Sequence, residues 1–322
     1  MGWLLKTLAV LVTLAMLIAG GAFLAMQRYI GPGPLAATRS VVIPRGAPDA
    51  VAETLQQAGV ITNGLAFRAA AFITSAKGAL RAGEFTFPEH ASLQAALIIL
   101  RAGRPVQHKL TIPEGLTAVQ ISALLQRAEA LDGETQIPRE GDMLPNTYAY
   151  TFGTPRSTMV DRASRAMERV LEQAWTSRAA GLPLATPRDM LILASMVERE
   201  TARPEERAHV AAVFLNRLKA GMRLQSDPTV AYAASRGQNS SDHGLTKADL
   251  MKPNPYNTYL ITGLPPGPIG SPGLASIQAV AQPLASDDLY FVADGTGGHA
   301  FARTLDEHNR NVTKWRARPT TP

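Results

Sequence analysis

The chain has 322 residues, room for roughly two domains at about 150 residues each. With 46% apolar and 18% charged residues it can bury a sizeable core, which excludes disorder over most of its length; zero cysteines exclude a disulfide framework, thiolate-bound zinc, an iron–sulfur cluster and a thiol nucleophile. A balance of 32 Lys and Arg against 26 Asp and Glu leaves +6, a charge that suits nucleic acid, anionic lipid or an acidic polymer without choosing among them.

From Thr7 to Met26 the chain carries no charge and is mostly Leu, Ala, Val and Met, enough at about 1.5 Å per residue to span about 30 Å of hydrocarbon. This predicts a transmembrane helix; the apolar core of a signal peptide, the rival reading, is typically shorter, at about 7–15 residues. Lys6 before the span and Arg28 and Arg39 after it nearly balance, so flanking charge does not orient it. Nothing beyond Tyr29 repeats such a span, and the rest is expected to form a soluble body on one side. Gly31-Pro32-Gly33-Pro34 reads as a short linker over 31–39.

Val41-Val42-Ile43-Pro44-Arg45-Gly46 recurs as Leu110-Thr111-Ile112-Pro113-Glu114-Gly115, with Leu55 matching Leu124, a weak internal repeat. Each copy predicts a short strand, a Pro/Gly turn and an amphipathic helix, the second with a possible capping box at Thr117 and Gln120. Between them Ala79 to Pro88 alternates (Leu80, Ala82, Phe85, Phe87) as a strand does, and Ser92 to Arg101 reads as a helix. Residues 40–105 are thus expected to form a small α+β module, and 106–322 a larger mixed α+β domain.

In the larger part, Thr186 as N-cap, Pro187 at the first helical position and Asp189 at the third start a helix through Glu200. Pro204 is expected to start another, with Glu205 and Glu206 in its first turn, Val210, Val213, Phe214 and Leu218 on its buried stripe and Gly221 past its end. Turn-rich segments at 252–259 and 263–273 precede an aromatic strand, Leu289 to Val292, and a glycine turn at 295–298.

Chemistry could reside where the first of these helices ends. Met190 to Val197 is apolar nearly all round, the pattern of a helix buried on every side, and Glu198 and Glu200 follow at once. At about 100° per residue the two point roughly 200° apart, so they do not cooperate on one face. A carboxyl at the end of a hydrophobic helix is partly desolvated, which favours its protonated form and prepares a general acid. Glu198 shares its face with Leu191, Ala194 and Ser195, small enough to leave a cleft, whereas Glu200 is expected to pair with an arginine such as Arg203. The plain alternative is that both merely solvate a helix end. No H-E-x-x-H, G-x-S-x-G, Walker A or G-x-G-x-x-G motif is present, and the six histidines (90, 108, 209, 243, 299 and 308) show no metal spacing, so neither a metal nor a nucleotide cofactor is expected. Nucleic-acid binding has no positive motif.

Ala194-Ser195-Met196-Val197-Glu198-Arg199-Glu200-Thr201, Val213 to Leu218, Gly221 to Val230, Tyr256-Asn257-Thr258-Tyr259, Gly263 to Ile269 and Leu289 to Gly295 resemble, in order, the motifs of the endolytic murein transglycosylases of the MltG (YceG-like) family. The resemblance covers essentially the whole chain, with an N-terminal anchor at 1–30, a LysM-like module at 40–105 and a YceG-like catalytic domain at 106–322. It implies a single-pass protein of a bacterial inner membrane with its body in the periplasm, acting on peptidoglycan glycan strands beside peptidoglycan synthases, without a cofactor. The family's catalytic Glu falls on Glu198, and Gln225, Asp227, Tyr256, Asn257 and Tyr259, in the matched motifs, are expected to shape or line a sugar groove. The implied reaction cleaves the β-1,4 bond between N-acetylmuramic acid and N-acetylglucosamine and leaves a 1,6-anhydro end. The substrate's own 6-hydroxyl is the nucleophile, so one carboxyl serves as acid and then base. A non-catalytic glycan-binding scaffold would not need Glu198, and a hydrolase would need a second acid and leave reducing ends.

Overall fold

The computed structural model describes residues 2–235, 237–238 and 245–317; residues 236 and 239–244, His243 among them, lie outside. The chain is mixed α+β and divides into two compact units, residues 1–108 with 149–153, and residues 109–148 with 154–322.

In the first unit, helix α1 (Gly2–Ile30) contains Leu5–Ile30, long and apolar enough to cross a membrane. It runs past the expected Thr7–Met26 at both ends, because Lys6, Gln27 and Arg28 interrupt an apolar count but not a helix. The Gly-Pro stretch after it is no free tether. Gly33 donates its N–H to His90 O (3.0 Å), His90 donates to Leu35 O (2.9 Å), and a side chain at Gly33 would overlap the Ala91 carbonyl, so only glycine lets the two backbones approach. Strand β1 (Arg39–Ile43) is followed by α2 (Pro48–Gln57) and by α3 (Gly64–Ile73), for which the sequence reading offers no element. Asn63 caps α3 by accepting the Ala66 N–H, and Phe67 and Ala71 face inward. Strand β2 (Gly83–Phe87) pairs antiparallel with β1, Val41 opposite Phe85, and α4 (Leu93–Ala102) is capped by Ser92. The strand is shorter than the expected 79–88: Ala82 is exposed, Phe85 and Phe87 are buried in a core shared with Leu55, Phe67, Leu97 and Leu100, and Leu80 packs against that core from outside the strand.

The chain enters the second unit along β3 (His108–Thr111), then α5 (Ala118–Arg127) with the expected capping box at Thr117 and Gln120, β4 (Leu131–Asp132), β5 (Thr147–Tyr150), which ends in the 149–153 stretch of the first unit, and β6 (Thr154–Pro155). β3 pairs with β5, and β4 lies parallel to β6. Helix α6 (Arg156–Thr176) begins with a buried arginine whose guanidinium donates to the carbonyls of Leu125, Gln126, Ala128 and Gly133. Leu125 and Gln126 lie in the last turn of α5 and Ala128 is its C-cap, so one cation ties the helix end to the turn at Gly133.

Helix α7 (Pro187–Glu200) starts with the expected Thr186–Asp189 capping box, and Met190 through Val197 are all buried. It packs against α6, against α8 (Arg207–Lys219) and, past α9 (Asp227–Ser235) and α10 (Lys247–Met251), against α11 (Leu274–Ala281). A helix surrounded by three others has no solvent face, which is why its sequence shows no polar stripe. Pro204 does not begin α8. It opens a separate 3₁₀ turn, Pro204–Glu206, in which Glu206 turns away to accept the His299 N–H, and α8 starts at Arg207. The burial of α8 also exceeds the expected stripe: Ala211, Ala212, Leu215 and Arg217 are inside, while Leu218 is half-buried. The hairpin β7 (Tyr290–Ala293) and β8 (His299–Ala302), joined through the expected glycine turn, and α12 (Leu305–Arg316) complete the unit.

Candidate active site

The buried helix α7 emerges at its C-terminal end carrying Glu198, Arg199 and Glu200, each of which meets a different set of partners. Glu198 is 6% exposed. Its Oε1 accepts from Arg207 Nη2 at 3.2 Å, and its Oε2 accepts the Gly273 backbone N–H at 2.8 Å. Arg207 opens α8 and Gly273 caps α11, so three elements converge on one carboxyl group. The same Arg207 nitrogen donates to Glu114 Oε2 at 3.3 Å, which brings a second carboxyl group beside the first.

The small residues on the Glu198 face do not open a cleft. Ser195 is fully buried; its Oγ donates to Ile192 O (2.7 Å) and accepts the Ile269 N–H (3.0 Å), and Arg199 Nη1 donates to Ile269 O (3.1 Å). That space holds the 263–273 loop, gripped at both the N–H and the C=O of Ile269.

Glu200 does not pair with Arg203, whose guanidinium donates to Thr296 O (2.5 Å). Glu200 is half-buried, and its carboxyl accepts from Ser226 Oγ at 2.8 Å. Burial pushes its carboxyl up to about 7, reinforced by the charge of Asp227 and offset by Ser226, His299 and Arg217. Glu200, which the sequence argument set aside as an arginine partner, is thus a second desolvated acid at the end of α7. A buried Arg217 organises this side: Nη1 donates to Leu224 O (2.8 Å) and Gln225 Oε1 (3.4 Å), and Nε to Leu289 O (2.6 Å).

The expected groove residues divide accordingly. Gln225 holds a left-handed backbone (φ 52°), uncommon for a residue with a side chain, and donates its N–H to Thr258 O. Exposed Asp227 accepts from the Tyr259 hydroxyl (2.6 Å); burial first, and then this bond and the charge of Asp227, push the tyrosine hydroxyl above its ordinary pKa. These three gather around Ser226 and Glu200. Asn257 is 1% exposed; its amide donates to Leu250 O and Lys252 O and accepts the Tyr259 N–H, so it shapes the loop rather than offering an amide to a ligand. Tyr256 stacks obliquely on Tyr232 (5.0 Å between ring centres). Among the described residues, no hydrogen bond or ion pair joins Glu198 to any of these five, and no group of three His, Asp or Glu side chains converges to hold a metal ion.

A model of the YceG-like family matches residues 41–314. The chain belongs to that family. Among its relatives, the endolytic murein transglycosylase of Bacillus subtilis is 32% identical, over 93% of this chain and 91% of its own length. The Streptococcus pneumoniae protein of the same name is 31% identical over 94% of this chain; this chain spans 64% of the length of that relative. A crystal structure of a YceG-like protein from Listeria monocytogenes superposes with a TM-score of 0.55 at 27% identity, covering 85% of this chain and 98% of the other.

Within this YceG-like chain, sequence reasoning missed Glu114, Arg207 and Gly273 at Glu198, and Ser226 at Glu200. One signal was available: in the internal repeat, the first copy has Arg45 between proline and glycine where the second has Glu114, an acid at a tight turn that packing did not require. Glu140 was missed as well. It accepts from Ala118 N (2.8 Å) and Tyr232 OH (3.0 Å), and burial raises its carboxyl above the usual range.

Proposed function

We propose that this protein is an endolytic peptidoglycan lytic transglycosylase that cuts the MurNAc-β-1,4-GlcNAc bond inside nascent glycan strands and leaves 1,6-anhydro-MurNAc ends. The observation that carries the assignment is the Glu198 carboxyl group, nearly enclosed at the end of a fully buried helix and met by Arg207 and the Gly273 N–H. Protonated Glu198 gives its proton to the departing glycosidic oxygen as the C1–O bond breaks. The carboxylate so formed is the species those two donors stabilise, and it then takes the proton of the muramyl 6-hydroxyl as that oxygen bonds to C1. The attack is intramolecular, so proximity supplies part of the barrier reduction and no second protein nucleophile is needed. Helix α1 would hold the enzyme in the inner membrane with its body in the periplasm, near new strands and the synthases that make them, and its cuts would end strand elongation. Residues 40–105 would serve as a LysM-like glycan-binding module.

The buried carboxyl of Glu200, pushed up to about 7, supports a second assignment in which it supplies the proton, with Gln225, Asp227 and Tyr259 along the sugar. Full-length protein in detergent, incubated with purified peptidoglycan and analysed by mass spectrometry, separates these readings. Anhydro-muramyl ends from wild type and Glu200→Gln but not Glu198→Gln are expected. Loss in Glu200→Gln alone moves the acid to Glu200, reducing ends indicate hydrolysis, and absence of cleavage by all three sinks the enzyme reading in favour of a binding scaffold.

A further inference from the structure

Glu114 sits in the Pro113-Glu114-Gly115 turn ahead of α5, and its carboxylate lies beside Gly273, the residue whose N–H meets Glu198. Both accept from the same nitrogen of Arg207, at 3.3 and 3.2 Å. Glu198 is nearly enclosed, whereas Glu114 is 46% exposed and opens the pair to solvent. The place is made by a glycine. Gly273 gives its N–H to Glu198, and a side chain there would overlap the Glu114 carboxylate, so the absence of Cβ seats both acids. Arg207 Nε is buried without a partner, so the guanidinium is committed to the carboxylates through Nη2.

Two carboxylates that share one guanidinium nitrogen repel each other unless the pair holds a proton. We propose that Glu114 is the positioning residue for the general acid: it and Glu198 hold one proton between them, and Glu114 keeps that proton available to Glu198 while leaving Arg207 and Gly273 to stabilise the carboxylate after transfer. This rests on the transglycosylase reading above. Burial, and next the charge of Glu198, push the Glu114 carboxyl above its ordinary value, against the pull of Arg207. The other elements packed here add little charge. α11 carries no ionisable residue and presents its N-terminal N–H, Arg199 is turned to Ile269 O and Glu140, and Glu206 is bound to His299. The proton's path balances: it leaves the pair for the glycosidic oxygen, and the 6-hydroxyl proton restores it, so one proton resides on the pair at the start and end of each turnover.

The test is the pH dependence of anhydro-muramyl release by the full-length protein in detergent, for wild type, Glu114→Gln and Glu114→Asp. Glutamine keeps the shape and an acceptor for Arg207 but removes the charge. Its alkaline limb of kcat is expected to move down by about one pH unit, so that activity on the alkaline side falls roughly tenfold with KM unchanged, and aspartate is expected to restore part of it. A uniform loss across pH, an unmoved limb, or a change in KM alone overturns the proposal. Carbon-13 titration of glutamate-labelled protein reads the pair without catalysis. One upward-displaced carboxyl step that vanishes in both Glu114→Gln and Glu198→Gln is expected, and two independent, ordinary steps overturn it. Wild type that releases no anhydro ends while showing the coupled step sinks the transglycosylase reading and leaves the proton-sharing pair standing.

Discussion

Replacing Glu200 by glutamine isolates the cost of burying one carboxyl group. Its folded-state value is pushed from 4.5 to about 7 by burial first, with Ser226, Asp227, His299 and Arg217 as smaller influences. Below the unfolded value the group is protonated in both states and costs nothing. As the pH rises from there, the unfolded chain releases the proton while the folded protein retains it, so stability declines until the folded group ionises. From the values of 4.5 and about 7, the loss is complete above the upper one and amounts to about 3 kcal/mol. Glutamine has no proton to lose and still accepts from Ser226 Oγ through its carbonyl oxygen. Glu200→Gln is therefore expected to match wild type near pH 4 and to exceed it at pH 8 by about 3 kcal/mol, an unfolding midpoint roughly 8 °C higher. Differential scanning calorimetry of the two full-length proteins across that range is the assay. A difference that stays constant with pH refutes the buried, protonated carboxyl. A variant that is less stable at pH 8 would mean that the carboxylate is held by Arg217 and His299 rather than desolvated.

Arg156→Ala removes a buried cation that donates to four carbonyls at and beyond the end of α5, and urea denaturation is expected to show a loss of about 3 kcal/mol, from the charge-assisted hydrogen bonds it forfeits. Thr186→Ala removes the cap of the helix that carries Glu198, and the same assay is expected to register about 1 kcal/mol; no change would mean that tertiary packing alone holds the start of α7. Gly273→Ala places a methyl group where the Glu114 carboxylate lies, and is expected to reproduce the pH profile of Glu114→Gln; a wild-type profile would show that Glu114 has other room. In flotation with anionic lipid vesicles, the full chain is expected to rise with the lipid and a chain lacking residues 1–30 to stay behind; equal flotation would relocate the membrane contact to the body.

The sequence reading and the structure part company along a physical line. Caps act through atoms three residues apart, so Thr117 with Gln120 and Thr186 with Asp189 could be read directly and stand as expected. Periodicity acts along a single element, so the apolar N-terminal helix, the all-round burial of Met190 to Val197 and the aromatic strand near residue 290 were legible too. Helix α3 was not, despite Asn63 as a good N-cap, because only Phe67 and Ala71 face inward and they make too short a stripe. The match of several motifs in one order identified the family without any geometry.

Which carboxyl group is desolvated, and by what, depends on elements that arrive from elsewhere in the chain. Spacing places Glu198 and Glu200 on opposite sides of α7. Only the packing of α8, α11 and the turn at Glu114 gives Glu198 an arginine, a backbone N–H and a second acid, and only the segment at Ser226 seals Glu200. The small residues at 194 and 195 illustrate the same division: their size was evident from the letters, but whether the space would admit a ligand or a loop was decided when Ile269 occupied it. Local hydrogen bonding and hydrophobic period are properties of a segment, written in its sequence. The protonation and pairing of an acid are properties of everything packed around it, and only the folded chain assembles those neighbours.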